Sequence, residues 1–140
     1  MSNNSLFLSN LRVIVAASIC DGTIDPSEFK KIQVFIERES KEAATSIKES
    51  AELQLESAKK DPQGFCERVL QDLSNATMPL AEKIYLTNSA IETVRTDGLM
   101  LSEEIKFIKT LISKLGLTES LIETLHGKWW IIDISPTKLN

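Results

Sequence analysis

The chain is poor in most of the residue types that carry chemistry: it has one histidine, two cysteines and one tyrosine among 140 residues. His126 alone cannot supply the nitrogen and sulfur ligands of a zinc centre, and a surface or helix-capping role is expected for it. Cys20 and Cys66 form no Cys-x-x-Cys motif, so two half-buried thiols in a reducing cytoplasm are expected, with a disulfide as the alternative. A cysteine and one distant histidine do not make a nucleophile–base pair, and no glycine-rich phosphate loop occurs. No apolar run approaches the ~20 residues of a membrane-spanning helix. The start, Met1-Ser2-Asn3-Asn4-Ser5, lacks a basic region, so no secretory signal is expected. With 16 basic against 20 acidic residues the net charge is −4, which argues against tracking nucleic-acid phosphates and is compatible with cations.

What the chain does have is an ordinary soluble composition, with 42% apolar residues, enough for the core of one domain. A single domain over 1–140 is expected, with 1–5 and 128–140 as terminal segments. Within it one pattern occurs twice. Asp21-Gly22-Thr23-Ile24-Asp25-Pro26-Ser27-Glu28-Phe29 is answered by Asp97-Gly98-Leu99-Met100-Leu101-Ser102-Glu103-Glu104-Ile105, an offset of 76 residues (97 − 21). At that offset Phe29 falls on Ile105, Ile32 on Ile108, Phe35 on Leu111 and Ile36 on Ile112, while Glu28 falls on Glu104. Two acidic turns therefore each lead into a helix with the same apolar stripe, which predicts an internal helix–turn–helix duplication.

Hydrophobic periodicity places the helices in order. Leu8, Leu11, Val15 and Ile19 share one face of a first helix over about Leu6–Cys20, and the stretch is apolar almost all round, as in an enclosed central helix. Val13-Ile14-Val15 would also suit a buried strand, but the counterpart Leu80–Arg95 reads as helix. Gly22 is suited to the left-handed conformation past a helix end. Asp25 is a good N-cap, Pro26 suits the first helical position, and Glu28 completes a capping-box-like pair. Neither glycine nor proline occurs between Pro26 and Pro62, so Glu37–Lys60 is expected to hold a long, largely exposed helix with a break near Ser40. Its narrow seam is Ala44, Ile47, Ala51, Leu55 and Ala58, with disorder as the alternative.

Asp61-Pro62 starts a fourth helix carrying Phe65, Val69, Leu70 and Leu73, and Ser74–Pro79 breaks it. The fifth helix is Leu80–Arg95 and the sixth about Ser102–Leu115, stopped by Gly116. Thr118 caps a short seventh with Leu121, Ile122 and Leu125, closed by Gly127. The tail, Lys128-Trp129-Trp130-Ile131-Ile132-Asp133-Ile134, is apolar. It is expected to fold back over one end of the bundle, with partner docking as the alternative.

Asp21, Asp25 and Glu28 crowd three carboxylates around a glycine turn, and a hard divalent ion, Ca²⁺ or Mg²⁺, is the natural occupant. The order Asp-Gly-x-Ile-Asp-x-x-Glu-Phe matches the second half of an EF-hand loop. The first half fails: the ligand positions ahead of it are Ala17 and Ile19, and Thr93 and Arg95 in the second copy. An EF-hand is rejected. The bland account of the same residues is capping: Asp25 and Glu28 favour a helix N-terminus, and Asp21 and Asp97 can bond free amides in the turn after a helix.

The paired motifs, with Leu115-Gly116-Leu117-Thr118 following the second, make the chain resemble the tellurite-resistance protein B (TerB-like) family over about Leu6–Leu125. The resemblance implies an all-α bundle of about seven helices with an internal duplication. It also implies a cytoplasmic, non-enzymatic domain associated with resistance to tellurite and other stresses, acting through protein partners and in some members binding divalent cations. Carried over residue by residue, the implied ligands are Asp21, Asp25 and Glu28 in the first unit and Asp97 and Glu104 in the second, with Glu103 a weaker candidate. Leu101 departs from the pattern, standing where Asp25 stands in the first unit, so the second cluster is one oxygen poorer unless Ser102 or Glu103 substitutes. No His-Pro-Asp occurs, which excludes a J-domain co-chaperone. The rival reading is a metal-free interaction module whose acidic face meets a basic partner, with no nucleic acid and no membrane span but room for a peripheral membrane complex. Metal-assisted hydrolysis would need a positioned base or nucleophile that the sequence does not supply.

Overall fold

A computed structural model describes the backbone of residues 3–23, 25–39, 45–95 and 101–127. The described residues form seven α-helices and no strand: α1 (Asn3–Ile19), α2 (Pro26–Glu39), α3 (Thr45–Lys60), α4 (Pro62–Asn75), α5 (Leu80–Arg95), α6 (Ser102–Lys114) and α7 (Glu119–His126). None of them is long and apolar enough to cross a membrane. Asp97, Ser40–Ala44 and the Trp129-Trp130 tail lie outside the described residues, as does the side chain of His126.

The bundle is built around α1. Leu11, Val13, Val15, Ala16, Ala17 and Ile19 are each at most 1% exposed, so apolar residues leave this helix in nearly every direction. Such a helix must be enclosed by others. Its most extensive contact is with α5, then with α3 and α4, and it also touches α2 and α6. Fully burying one Leu or Ile contributes about 1.5–3 kcal/mol, so α1 carries a large share of the core. The β-branched run Val13-Ile14-Val15 belongs to this helix, since tertiary enclosure outweighs a small propensity deficit.

Against α1, α3 is better anchored than its polar composition suggests. Ala51, Leu55 and Ala58 are buried, and the helix packs on both α1 and α4. Alanines on the seam let two helices approach closely, which a count of large apolar residues does not register. In α4, Asp61 accepts the Gly64 N–H at 3.1 Å and Pro62 takes the first helical position, while Phe65, Val69 and Leu73 face inward. The Arg12 guanidinium lies 5.9 Å from the Phe65 ring and bonds Asp72 at 2.7 Å, tying α1 to α4 at the surface.

The stops are made by glycine. α6 ends in a Schellman arrangement: Leu117 N–H donates to the Ile112 carbonyl and Gly116 N–H to that of Ser113, each at 3.0 Å, with Gly116 at φ +75°. Thr118 Oγ1 then accepts the Leu121 N–H at 3.2 Å to open α7, whose Ile122 is fully buried.

The helix ends keep the 76-residue register of the sequence. α1 ends at Ile19 and α5 at Arg95, while α2 begins at Pro26 and α6 at Ser102. Ile32, Ile36, Ile108 and Ile112 are all buried.

Candidate acidic pocket

The first turn is shaped by side chains bonding their own backbone. Gly22 sits at φ +86° and its N–H donates to the Ile19 carbonyl at 2.9 Å, ending α1. Asp21 Oδ1 then accepts from the Thr23 N–H at 3.0 Å and the Thr23 hydroxyl at 2.8 Å. Asp25 repeats the device at the start of α2, where its Oδ1 accepts from the Ser27 N–H at 2.9 Å and the Ser27 hydroxyl at 2.8 Å. The Ser27 hydroxyl, with help from the Ser27 and Glu28 amides and from Lys31, holds the Asp25 carboxyl below its ordinary range, and the small desolvation opposes this.

The second turn is capped differently. Leu101 occupies the N-cap position with extended backbone, φ −78° and ψ 158°, and offers no side-chain acceptor. Only the return half of a capping box remains, the Leu101 N–H donating to Glu104 Oε1 at 2.8 Å.

The two turns meet. A cavity of about 290 Å³ is lined from the first by Asp21, Asp25 and Glu28 and from the second by Leu101 and Glu104. Three pairs related by the 76-residue offset share its wall: Ala17 with Thr93, Asp25 with Leu101, and Glu28 with Glu104. Ser18 and Thr23 complete it. Four of the five carboxylates that the sequence points to are therefore at one place; the fifth, Asp97, lies outside the described residues. Ser102 and Glu103 do not substitute for the missing oxygen, because each lines a different cavity.

Ser18, which lines the cavity with Thr93, was not singled out by the motifs, since a lone hydroxyl inside a helix has no sequence signature. Both hydroxyls donate within their own helices, to the carbonyls of Ile14 at 2.9 Å and Ser89 at 2.7 Å, so neither is set up as a nucleophile. Ala17 and Thr93 did carry a signal, being the same position of the repeat.

In this conformation no three carboxylate, thiol or imidazole groups among the described residues are gathered tightly enough to hold a metal ion. The donor set is nonetheless all oxygen, which suits Ca²⁺ or Mg²⁺. The turn bonds of Asp21 and Asp25 use Oδ1 in both, leaving the second carboxylate oxygen outside them.

Close to this pocket lie both cysteines, as free thiols. Burial pushes Cys20 from 9.0 up to about 12, reinforced by Cys66, Glu104 and Asp21. Burial likewise pushes Cys66 up to about 12, with smaller contributions from Glu67 and Asp21. Thiols held protonated in this way are poor nucleophiles.

No protein-family model matches the chain, and no curated protein and no solved structure matches it either.

Proposed function

We propose that the chain is a TerB-like domain, cytoplasmic and non-enzymatic, whose acidic pocket receives a divalent cation and which acts through protein partners in a stress response. The observation that carries this reading is the convergence of Asp21, Asp25, Glu28 and Glu104 on one cavity, which offset-related residues line together. In this reading an ancestral helix pair was duplicated and the two copies face each other across a shared site. Carboxylates gathered on one cavity repel one another, and a hard cation between them removes that repulsion. Asp21 and Asp25 would offer their second oxygens, and Glu28 and Glu104 would reach in from the first turns of α2 and α6.

The second reading, a metal-free acidic docking face for a basic protein surface, is favoured by the turn bonds that already employ Asp21 and Asp25. Titration of the purified chain with CaCl₂ and MgCl₂, followed by thermal unfolding, separates the two. Binding at 100-fold over Kd stabilises the native state by about 2.7 kcal/mol, which a melting curve detects. Asp25→Asn keeps an acceptor at the N-cap and removes the charge, so it should lose the cation response while the helix persists. Neither ion shifting the midpoint at 10 mM, on the order of ten times a weak extracellular-type affinity, would leave the docking reading.

A further inference from the structure

Outside the acidic pocket, the molecule brings its two cysteines to one place. Cys20 directly follows α1 and Cys66 lies on α4, and they line the same cavity of about 230 Å³. Their sulfurs rest on consecutive carbonyls of α1, Cys66 Sγ donating to the Ala16 oxygen at 3.4 Å and Cys20 Sγ to the Ala17 oxygen at 3.3 Å. The two thiols thus share one turn of α1 as well as one cavity. Leu70 and Phe107 form apolar wall, and the exposed Glu67, Glu103 and Lys106 surround the mouth.

We infer that Cys20 and Cys66 form a two-sulfur site for a soft, two-coordinate monovalent ion of the Cu(I) or Ag(I) class. Thiolate ligands select soft ions. Four-coordinate zinc requires more ligands than the site has, since no group of three or more His, Cys, Asp or Glu among the described residues could hold an ion. The carboxylates at the mouth attract cations but, as hard oxygen donors, do not compete with sulfur for a soft one. Binding involves no redox step: each thiol gives up its proton to solvent and the ion bridges the two sulfurs. The inference is independent of the acidic pocket, which uses different ligands and a hard ion.

The test uses Ag(I) as the probe on the full-length, reduced protein, with glutathione as competing ligand and native mass spectrometry as the readout. One ion per chain is expected. Cys20→Ser and Cys66→Ser should each weaken retention by roughly a hundredfold or more, because a single sulfur loses the advantage of a second ligand held nearby. Should Cys66→Ser not fold, the unmodified protein still decides the matter: bound Ag(I) must protect both cysteines from alkylation. One ion shared between two chains, retention unchanged in either variant, or protection of one thiol alone would overturn the site.

Discussion

The turn before α2 and the turn before α6 occupy the same place in the repeated pattern, but they are held by different chemistry. In the first, Asp25 is a charged N-cap with its carboxylate bonded to Ser27, followed by Pro26 at the first helical position. In the second, Leu101 stands at that position, 43% exposed, and the helix start depends on the bond from its N–H to Glu104. The start of α2 thus has a side-chain cap and its negative charge, while the start of α6 has an apolar side chain at that position, facing the same cavity. The helix ends share a register while the residues at them differ, and α6 has four buried core residues, Phe107, Ile108, Leu111 and Ile112. The proposed site is accordingly lopsided, with most of its charge on the first turn.

The packing half of that comparison gives the largest expected effect. Ile36 and Ile112 are equivalent at the 76-residue offset and are 0% and 1% exposed. Truncating either to alanine should cost about 2–5 kcal/mol by chemical denaturation. Ile112→Ala should be the costlier, since α6 packs against α4, α5 and α1, whereas α2 packs against α3 and α1. A cost below about 1 kcal/mol for Ile36→Ala would mean that α2 is held loosely, and that the two apolar stripes are not equivalent supports.

Most of the architecture was legible because its signals are local. Asp61-Pro62, Pro26, Gly116 and Thr118 mark helix ends by backbone chemistry that operates within a few residues, and the helices start and stop where those residues stand. The central position of α1 was legible from its all-round apolar surface. α1 begins at Asn3 rather than near Leu6: Ser2, Asn3, Asn4 and Ser5 all suit an N-cap, so the sequence does not single out one start. The acidic turns were legible as motifs, and the 76-residue offset linked them. Whether they faced one cavity or two depends on how α1 and α5 pack side by side, which no local pattern specifies. The same holds for the cavity that Cys20 and Cys66 share, which follows from α4 packing along α1. The seam of α3 was legible from its spacing: Ala51, Leu55 and Ala58 are the residues it picks out, and they are buried.

The cap half of the comparison can be repaired by one substitution. Leu101→Asp installs in the second turn the acceptor that the first already has, and a good N-cap in place of an apolar one is worth about 1 kcal/mol. The new carboxylate also enters the cavity holding Asp21, Asp25, Glu28 and Glu104, so at low ionic strength repulsion offsets part of the gain. The gain should therefore emerge in about 1 M salt, where the Debye length falls to about 3 Å. If a divalent cation occupies the pocket, the variant should also show the larger cation-induced rise in melting temperature. A variant no more stable than the parent in high salt would show that α6 does not use its N-cap position at all.

The smallest effect expected separates the charge of Asp25 from its geometry. Its carboxyl is held below the ordinary range first by the Ser27 hydroxyl, and the unfolded chain has no such partner. In the pH window between the lowered folded value and the unfolded one, the unfolded state binds more protons. Stability from this group is therefore complete above the unfolded value and is lost as pH falls through the folded one. Asp25→Asn retains a neutral acceptor and has no such dependence. The difference in melting temperature between parent and variant should shrink on acidification below the ordinary carboxylate range. The parallel comparison at the second turn, Leu101 against Leu101→Asp, should show no acid-sensitive contribution from that position until the carboxylate is introduced. A parent–variant difference at Asp25 that stayed flat from neutral pH to pH 3 or so, well below the ordinary Asp value of about 3.9, would assign its capping to geometry alone.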